Sequence, residues 1–448
     1  MGAKTEGTSK GRTKGKKQGS KPHGPRDIHG AFRSNLESLE IFVGRVAPIA
    51  KEYDKATSDK VLETLEELIR GNAIKQETAE PESSKSKVKP KKGAQDGVKI
   101  IIDHRSYAKL LQITSKIPLL TATQIDLLYK SSLVMLLSYF DFLVSDLIHC
   151  YYQSYPESLS DSEKDLCLRL DELRLCSDLT EAMNCVVNKE VDKVLRDNLE
   201  TQKKYLKQRL GIELQEDIVN WHRINEAIER RNLIVHNNSK INRFYLKNAD
   251  ISIAPEKPKD LREGKQIGVT EDYFSGVFNE IYLAGVVLLQ SCWRHWRKDD
   301  IRSADGTLLA DCYDALCKQQ WNAAERICLF GKQQKISDGA VRLGLDVNYC
   351  QSLKWQNRTS ELQKQLATYD MSTLSPMYKL ALCALESDRD GFYANLPNAI
   401  IVDEMEEDYF AQWPLFRELR EDPDYEQRVK SAFMSIPLKG EGNTVSSD

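Results

Sequence analysis

The 448-residue sequence lacks the marks of a secreted, membrane-spanning or lipid-anchored protein. Its charged N-terminus has no apolar stretch of the kind found in signal peptides, and Glu6 stands where a myristoylated chain has Ser or Thr. The longest charge-free apolar runs, Ser131–Phe140 and Ile281–Trp293, are shorter than the roughly 18 residues that a membrane span requires. We therefore expect a soluble, cytoplasmic protein with no membrane partner.

Patterns that ligate metals are also missing from the sequence. None of the 10 cysteines forms a C-x-x-C pair, and most stand in apolar helical contexts. This favours reduced, buried thiols over disulfides or structural zinc. The seven histidines show no H-E-x-x-H motif and no paired spacing. The sequence thus predicts neither a metal nor another cofactor.

Charge of both signs is present but unevenly distributed. The chain holds 64 basic and 67 acidic side chains, a net charge of −3. Residues 1–26 contain eight Lys or Arg and one Glu, a local charge of +7, whereas residues 301–448 contain 16 basic and 23 acidic side chains, a local charge of −7. Because negatively charged side chains repel phosphate, we expect any nucleic acid to be bound outside the acidic C-terminal segment.

Apolar periodicity predicts an all-α fold. Between Gln124 and Tyr152 there is no Pro or Gly, and five apolar residues fall on one helical face. They are Leu133, Leu137, Phe140, Val144 and Leu147. Further helices are predicted up to Val235 and from Thr270 onward, with Asn237-Asn238 as a helix end. Between them, Ile241–Leu246, Asp250–Ala254 and Gln266–Val269 are predicted as a small β-rich insertion.

The whole chain divides by composition into six segments. The predicted organisation is a disordered basic tail (1–30), a helical pair (31–75), a linker or exposed loop (76–98), a helical bundle (99–300), a C-terminal helical-hairpin domain (301–433) and a tail (434–448). In the C-terminal domain, short helical segments follow one another in an antiparallel rhythm that is typical of tetratricopeptide-like hairpins, although no 34-residue repeat can be aligned.

One segment combines polar chemistry with a helical pattern, the run Glu229-Arg230-Arg231-Asn232-Leu233-Ile234-Val235-His236. Arg231 follows Ile228 by three positions and precedes Val235 by four, which puts it inside the predicted apolar stripe. A guanidinium buried without a partner would cost several kcal/mol, so Arg231 needs a carboxylate or an open cleft beside it. Asn232 and His236 are four positions apart and share a face.

The spacing Arg231-Asn232-x-x-x-His236 resembles the R-x(4–6)-H motif of the HEPN superfamily, and the resemblance covers roughly residues 121–299. It implies a HEPN-like helical bundle. It also implies a metal-independent endoribonuclease of a prokaryotic defence or toxin system, in many members a homodimer with a composite site. By this resemblance His236 would transfer a proton or orient the 2′-hydroxyl of RNA, Arg231 would hold the scissile phosphate and Asn232 would position the substrate or the imidazole.

Other candidate RNA contacts are weaker. Glu229 lies one turn before Asn232, Tyr245 follows the motif, and Asp141 and His149 belong to a polar stripe on the long helix. This stripe is either part of a cleft or a solvated face. The run 293–298 combines Trp with cations, as stacking and phosphate-binding surfaces do, but Trp packing and cations at a helix C-terminus explain it too.

A second interpretation leaves the chain without catalysis. Arg231 would form a structural ion pair with Asp141 or Asp146, His236 would cap a helix end, and the protein would be a helical adaptor or scaffold. In the nuclease interpretation, the C-terminal hairpins would sense or bind a partner, either a regulatory protein or a phage-derived trigger, because stacked hairpins build extended surfaces.

Overall fold

The computed structural model describes residues 24–70, 74–77, 99–102, 107, 111, 123–159 and 167–435. Almost all regular structure within them is helical, which confirms the all-α class. The α-helices are α1 (Pro25–Arg70), α2 (Gln124–Ser154), α3 (Leu170–Leu173), α4 (Leu179–Arg196), α5 (Leu199–Arg209), α6 (Trp221–His236), α7 (Arg243–Asn248), α8 (Glu271–Trp296), α9 (Ile301–Cys317), α10 (Trp321–Lys332), α11 (Gly339–Trp355), α12 (Thr359–Leu366), α13 (Pro376–Glu386), α14 (Arg389–Val402), α15 (Glu407–Gln412) and α16 (Tyr425–Met434). Strands β1 (Ile74–Glu77) and β2 (Lys99–Ile102) pair antiparallel, with Ile74 opposite Ile102.

The N-terminal region differs from the prediction. The expected helical pair over 31–75 is wrong, because one 46-residue helix runs over Pro25–Arg70. Residues 25–30, predicted as part of a disordered tail, are the first turns of this helix. They are ordered because Ile28 and Phe32 are buried, at 1% and 3% exposure. The rest of the predicted tail, most of the 76–98 linker and the segment after Ser435 lie outside the described residues.

The chain forms two compact units, and their boundary is not the one predicted at residue 300. The larger unit contains Met1–Arg33, Phe140–Val219 and Leu283–Asp448, and the smaller unit contains Ser34–Tyr139 and Asn220–Tyr282. The predicted bundle segment 99–300 therefore contributes to both units. Helical periodicity does not reveal this division, because the long helices α2 and α8 each contribute to both units.

In the larger unit, consecutive C-terminal helices pack against each other, such as α10 with α11 and α13 with α14. Their core includes Leu380, Phe392 and Phe416, each fully buried. The first turns of α1 attach to α9 through a buried carboxylate: His29 Nε2 lies 2.9 Å from Asp311 Oδ1, and Asp311 is 0% exposed. A charged group of α9 thus fixes the start of α1 within this unit.

In the smaller unit, α1 supplies the cap of α2. The backbone N–H groups of Gln124 and Ile125 each donate to the Asp54 carboxylate over 2.9 Å. A carboxylate satisfies the unpaired donors of a helix N-terminus and interacts favourably with the helix dipole. The five apolar residues predicted on one face of α2 are all buried, between 0% and 2% exposed, which confirms that prediction.

The predicted β-rich insertion between α6 and α8 is wrong in most of its length. Arg243–Asn248 is helix α7, Ile251–Ile253 is a 3₁₀ turn, and the one β contact described there is an isolated bridge between Lys240 and Gln266. Helix α7 forms because Asn242 caps it, accepting from the Tyr245 N–H over 2.9 Å.

Two helices are long and apolar enough to cross a membrane by length and composition, Gln124–Ser154 and Glu271–Trp296. In the most apolar 18-residue window of each helix, the share buried within the structure is 56% for the first and 78% for the second. Core helices of folded domains have the same composition, so these helices carry no argument for a membrane.

Close packing at Gly285 of α8 leads to a stability prediction. A Cβ there would lie 2.1 Å from Cε1 of the buried Phe32 ring, a distance that requires α1 or α8 to shift. We expect Gly285→Ala to lower the free energy of unfolding by about 1–3 kcal/mol through overpacking. Chemical denaturation measures this. Gly306→Ala is the matched control, since no atom lies within 4 Å of its new Cβ and alanine favours a helix. Equal stability of both variants would contradict this packing.

Candidate functional site

Helix α6 carries the whole motif, and both of its ends are fixed by side chains or turns. At its start, the Asn220 side chain accepts from the Arg223 N–H over 3.0 Å. The helix ends at His236, as predicted: the Asn237 N–H donates to the Leu233 carbonyl, and Asn238 adopts a left-handed φ of 47°. His236 is therefore the last helical residue, and its side chain is exposed.

A buried ion-pair cluster surrounds Arg230. Its side chain is 0% exposed, and its Nε donates to Glu226 Oε1 over 2.9 Å. Its two Nη atoms donate to the two oxygens of Glu256 over 2.7 and 2.9 Å, and Nη1 also donates to the Gly268 carbonyl over 2.6 Å. Four hydrogen bonds thus hold the guanidinium, and two of them form a bidentate pair with the Glu256 carboxylate.

Two tyrosines complete this cluster, which we call the Arg230 cluster (Glu226, Arg230, Tyr245, Glu256 and Tyr273). Tyr245 and Tyr273 each donate a hydroxyl hydrogen bond to Glu226 over 2.6 Å. The Arg230 guanidinium also lies over the Tyr273 ring, 4.1 Å from its centroid. Burial, then the negative Glu226, raises the pKa of both phenols well above their usual value, so both stay protonated and donate.

The sequence prediction placed the buried cation one position too late. Arg230 rather than Arg231 is fully buried, whereas Arg231 is half-buried. The buried face of α6 includes Ile224, Ala227 and Leu233. Val235, which was predicted to lie on this face, is 51% exposed. The buried face contains charged residues of its own, so apolar periodicity alone misplaced it.

A small open cavity lies beside the end of α6. It has a volume of about 380 Å³, and it is lined by Glu229, Asn232, Leu233, His236, Asn237, Asn242 and Phe244. Asn232 and His236 thus lie on one side of the helix together with Glu229, as their spacing predicted. Leu233 forms the floor, while His236 and the 66% exposed Phe244 face solvent.

Glu229 is the one acidic side chain of this cavity. Burial raises the pKa of its carboxyl group, and three weaker influences oppose that rise: hydrogen bonds from Asn232 and Asn248, and the charge of Arg231. Asn232 therefore contacts Glu229, which lies one turn before it on α6. Glu229 and His236 are seven positions apart, about two helical turns, and both line this cavity.

The other predicted site residues are not part of this cavity. Arg231 is not among the lining residues: a separation of five positions turns it about 140° away from His236 around the helix. Tyr245 is 1% exposed and belongs to the Arg230 cluster. Asp141 and His149 belong to the larger unit, half-buried and buried respectively, and neither lines the cavity.

Sequence reasoning missed several members of the Arg230 cluster and of the cavity. The spacing Glu226-x-x-x-Arg230 is the signature of an ion pair on one helical face and could have identified the first pair. Glu256 and Tyr273 are 26 and 43 residues from Arg230, and no local pattern connects them. Asn242 and Phe244 line the cavity because α7 folds back as a helix.

Across the described part of the chain, no three His, Cys, Asp or Glu side chains cluster as a metal site would require. Comparisons with protein-family models, with curated proteins and with solved structures find no match to this chain. The similarity to the HEPN superfamily therefore stays a prediction that rests on the motif and its place at a helix end.

The two adjacent arginines differ in burial, and this gives a prediction. Arg230→Ala leaves the buried Glu226 and the half-buried Glu256 without their cation, so we expect a loss of about 3–5 kcal/mol in the free energy of unfolding. Arg231→Ala removes a half-buried side chain, so a loss of about 1–2 kcal/mol is expected. Urea denaturation of both variants measures the difference. A larger loss for Arg231→Ala would refute the assignment of Arg230 as the structural cation.

The raised pKa of Glu229 predicts a pH-dependent stability difference. A carboxyl group whose pKa is higher in the folded state favours folding when protonated, and this contribution is lost as pH rises from its ordinary value of 4.5 through the folded pKa. We expect Glu229→Gln to be more stable than the unmodified protein at pH 7, with the gain shrinking toward pH 4. Denaturation at both pH values measures it. Exposed Glu263→Gln should show no such change, and a gain independent of pH would contradict the prediction.

Proposed function

We propose that the smaller unit is a HEPN-type, metal-independent endoribonuclease that cleaves RNA through the RNA's own 2′-hydroxyl. The single observation that carries this proposal is the open cavity at the end of α6, which Glu229, Asn232 and His236 line together. An exposed imidazole and a carboxyl group in one cavity can supply acid–base chemistry without a metal.

The reaction needs two proton transfers and one cation. A base takes the proton of the 2′-hydroxyl, the 2′-oxygen attacks the adjacent phosphorus, and the bond to the 5′-oxygen breaks as that oxygen takes up a proton. The products end in a 2′,3′-cyclic phosphate and a 5′-hydroxyl. His236 is the proton carrier in this proposal, Asn232 positions it through the shared helical face, and Arg231 stabilises the charge that builds on the phosphate.

Arg231 is not among the residues that line the His236 cavity, so this proposal places the site in a homodimer. In such a dimer, Arg231 of one chain would meet the cavity residues of the other. The Arg230 cluster holds α6, the helix that carries Arg231, in place. An isologous contact around a two-fold axis would create two such sites.

This proposal assigns regulation to the C-terminal helices, which pack against their neighbours in sequence. In this proposal they bind a regulatory protein or a phage-derived trigger, and the nuclease acts in cytoplasmic defence or as a toxin. The surplus of acidic side chains in residues 301–448 favours a protein partner over RNA on this part of the chain.

Substitutions in the motif test the proposal. We expect Arg231→Ala, Asn232→Ala and His236→Ala each to reduce RNA cleavage in the presence of EDTA by about 100-fold or more, since acid–base and charge-stabilising groups contribute factors of this size. Gel assays of cleavage and analysis of the product ends measure it. Exposed Arg262→Ala, which removes a cation in the same unit, should retain activity.

Mixing two inactive variants distinguishes the composite site from a site within one chain. Random pairing of Arg231→Ala with His236→Ala should restore about a quarter of the activity, because half of the dimers then contain one intact site of two. A complete absence of EDTA-resistant cleavage by the unmodified protein, or products with 5′-phosphate ends, would overturn the nuclease proposal and leave the helical adaptor as the better interpretation. The fully buried Arg230 ion pair is the observation that favours an adaptor, since it shows a structural cation inside the motif run.

A further inference from the structure

A second, larger cavity lies in the larger unit, remote in sequence from the motif. Its volume is about 730 Å³, within the range of roughly 300–1,000 Å³ that small-molecule sites occupy. It is lined by Tyr151, Tyr155, Gln208, Arg209, Leu210, Gly211, His295, Trp296, Lys298 and Asp299. We propose that this cavity binds a nucleotide, with the base on the tyrosine rings and the phosphate at Lys298.

The aromatic wall consists of rings that are already held in place. The Tyr151 ring centroid lies 5.3 Å from that of Tyr155 and 5.6 Å from that of Trp296. The Trp296 indole N–H donates to the Leu210 carbonyl over 3.2 Å, and the Tyr151 hydroxyl lies 3.3 Å from the Ser158 hydroxyl. Both tyrosines stay half-buried, so each ring keeps an accessible part that lines the cavity. The rings are tilted by 44° and 51° against Tyr151, so the wall offers separate ring faces on which a base can stack.

The charges around the cavity favour an anion. Arg209 is anchored by donating from Nε to the Tyr152 hydroxyl over 3.2 Å and from Nη2 to the Ser158 carbonyl. Asp299, the one carboxylate of the lining, lies 3.3 Å from the Arg297 guanidinium, which lowers its pKa and balances its charge. The lining thus holds two cations, Arg209 and Lys298, and one carboxylate, a net positive charge that suits a phosphate.

Gly211 and His295 shape the rim. Gly211 has a φ of +70°, and a Cβ at this position would lie 3.0 Å from His295 Nε2. Glycine is required here for both reasons, since a side chain would be strained and would crowd the imidazole. The exposed His295 ring is therefore held at the cavity edge, next to Lys298, where it can donate to a phosphate oxygen.

A purely apolar ligand or a simple anion fits this cavity less well than a nucleotide. The aromatic wall offers stacking that inorganic phosphate cannot use, and an apolar ligand would not complement the net positive charge of the lining. A nucleotide satisfies both, whether it is free or part of a single-stranded RNA. Binding at this site needs no catalysis, so it can be measured in a His236→Ala chain and fails or succeeds independently of the nuclease proposal.

Fluorescence anisotropy with a labelled oligonucleotide of eight adenosines tests the site, and calorimetry with AMP tests the free nucleotide. In the His236→Ala chain, we expect Lys298→Ala to raise the Kd about threefold to tenfold by loss of one phosphate contact. Tyr155→Leu should raise it about tenfold by loss of stacking, whereas Tyr155→Phe, which keeps the ring, should bind normally. Lys335→Ala, an exposed lysine of the same unit, is the charge control.

The two probes separate the two sources of the nucleotide. If the binding of AMP depends on Lys298 and Tyr155 in the same way, the site accepts free nucleotides. If only the binding of the oligonucleotide depends on these residues, the site holds a strand of RNA. The proposal is overturned if neither probe binds, if Lys298→Ala and Tyr155→Leu bind like the parent chain, or if Lys335→Ala weakens binding as much as Lys298→Ala.

Discussion

Removing a guanidinium from water costs several kcal/mol. At Arg230 in the smaller unit, two carboxylates, a backbone carbonyl and a tyrosine ring offset this desolvation energy. Because these partners come from α6, from the loop after α7 and from the start of α8, the cluster fixes three segments against one another. Asn232 and His236 lie on the same helix, within two turns of Arg230. Their positions therefore depend in part on this buried ion pair.

Adjacent residues of α6 serve different purposes because a helix separates them by about 100°. Glu226 and Arg230 face the interior, whereas Glu229, Asn232 and His236 face the cavity. Glu229 is balanced between these environments: burial raises its pKa, while Asn232, Asn248 and Arg231 stabilise its charge. A helix with one fully paired charged face can carry reactive groups on the next face without losing stability, provided that the buried charges are all satisfied.

Much of the fold follows from the sequence, but the exact buried face of α6 does not. Apolar spacing on α2 located its five core residues correctly because that face is uniformly apolar. On α6, two of the buried positions are Glu226 and Arg230, so the apolar pattern shifted the face by one residue and made Arg231 the expected buried cation. The partner Glu256 is distant in sequence, and no periodicity reports such a contact. The insertion was misassigned for a related reason, since an Asn cap and a buried Tyr245 outweighed its β-branched composition.

Net charge acquires a meaning only when it is located in the fold. Every residue that lines the 730 Å³ cavity comes before residue 300, and the acidic segment 301–448 contributes none. The aromatic and cationic run 293–298 at the end of α8 contains residues of two kinds. Trp293 and Trp296 are buried, and their indole N–H groups donate to Asp300 and to the Leu210 carbonyl. His295 and Lys298 line the cavity. Packing and cavity lining, which are alternatives for this run in the sequence, thus fall to different residues of the same helix end. Under the nucleotide proposal, the acidic segment 301–448 needs no phosphate contact of its own, because its negative charge would repel the phosphate.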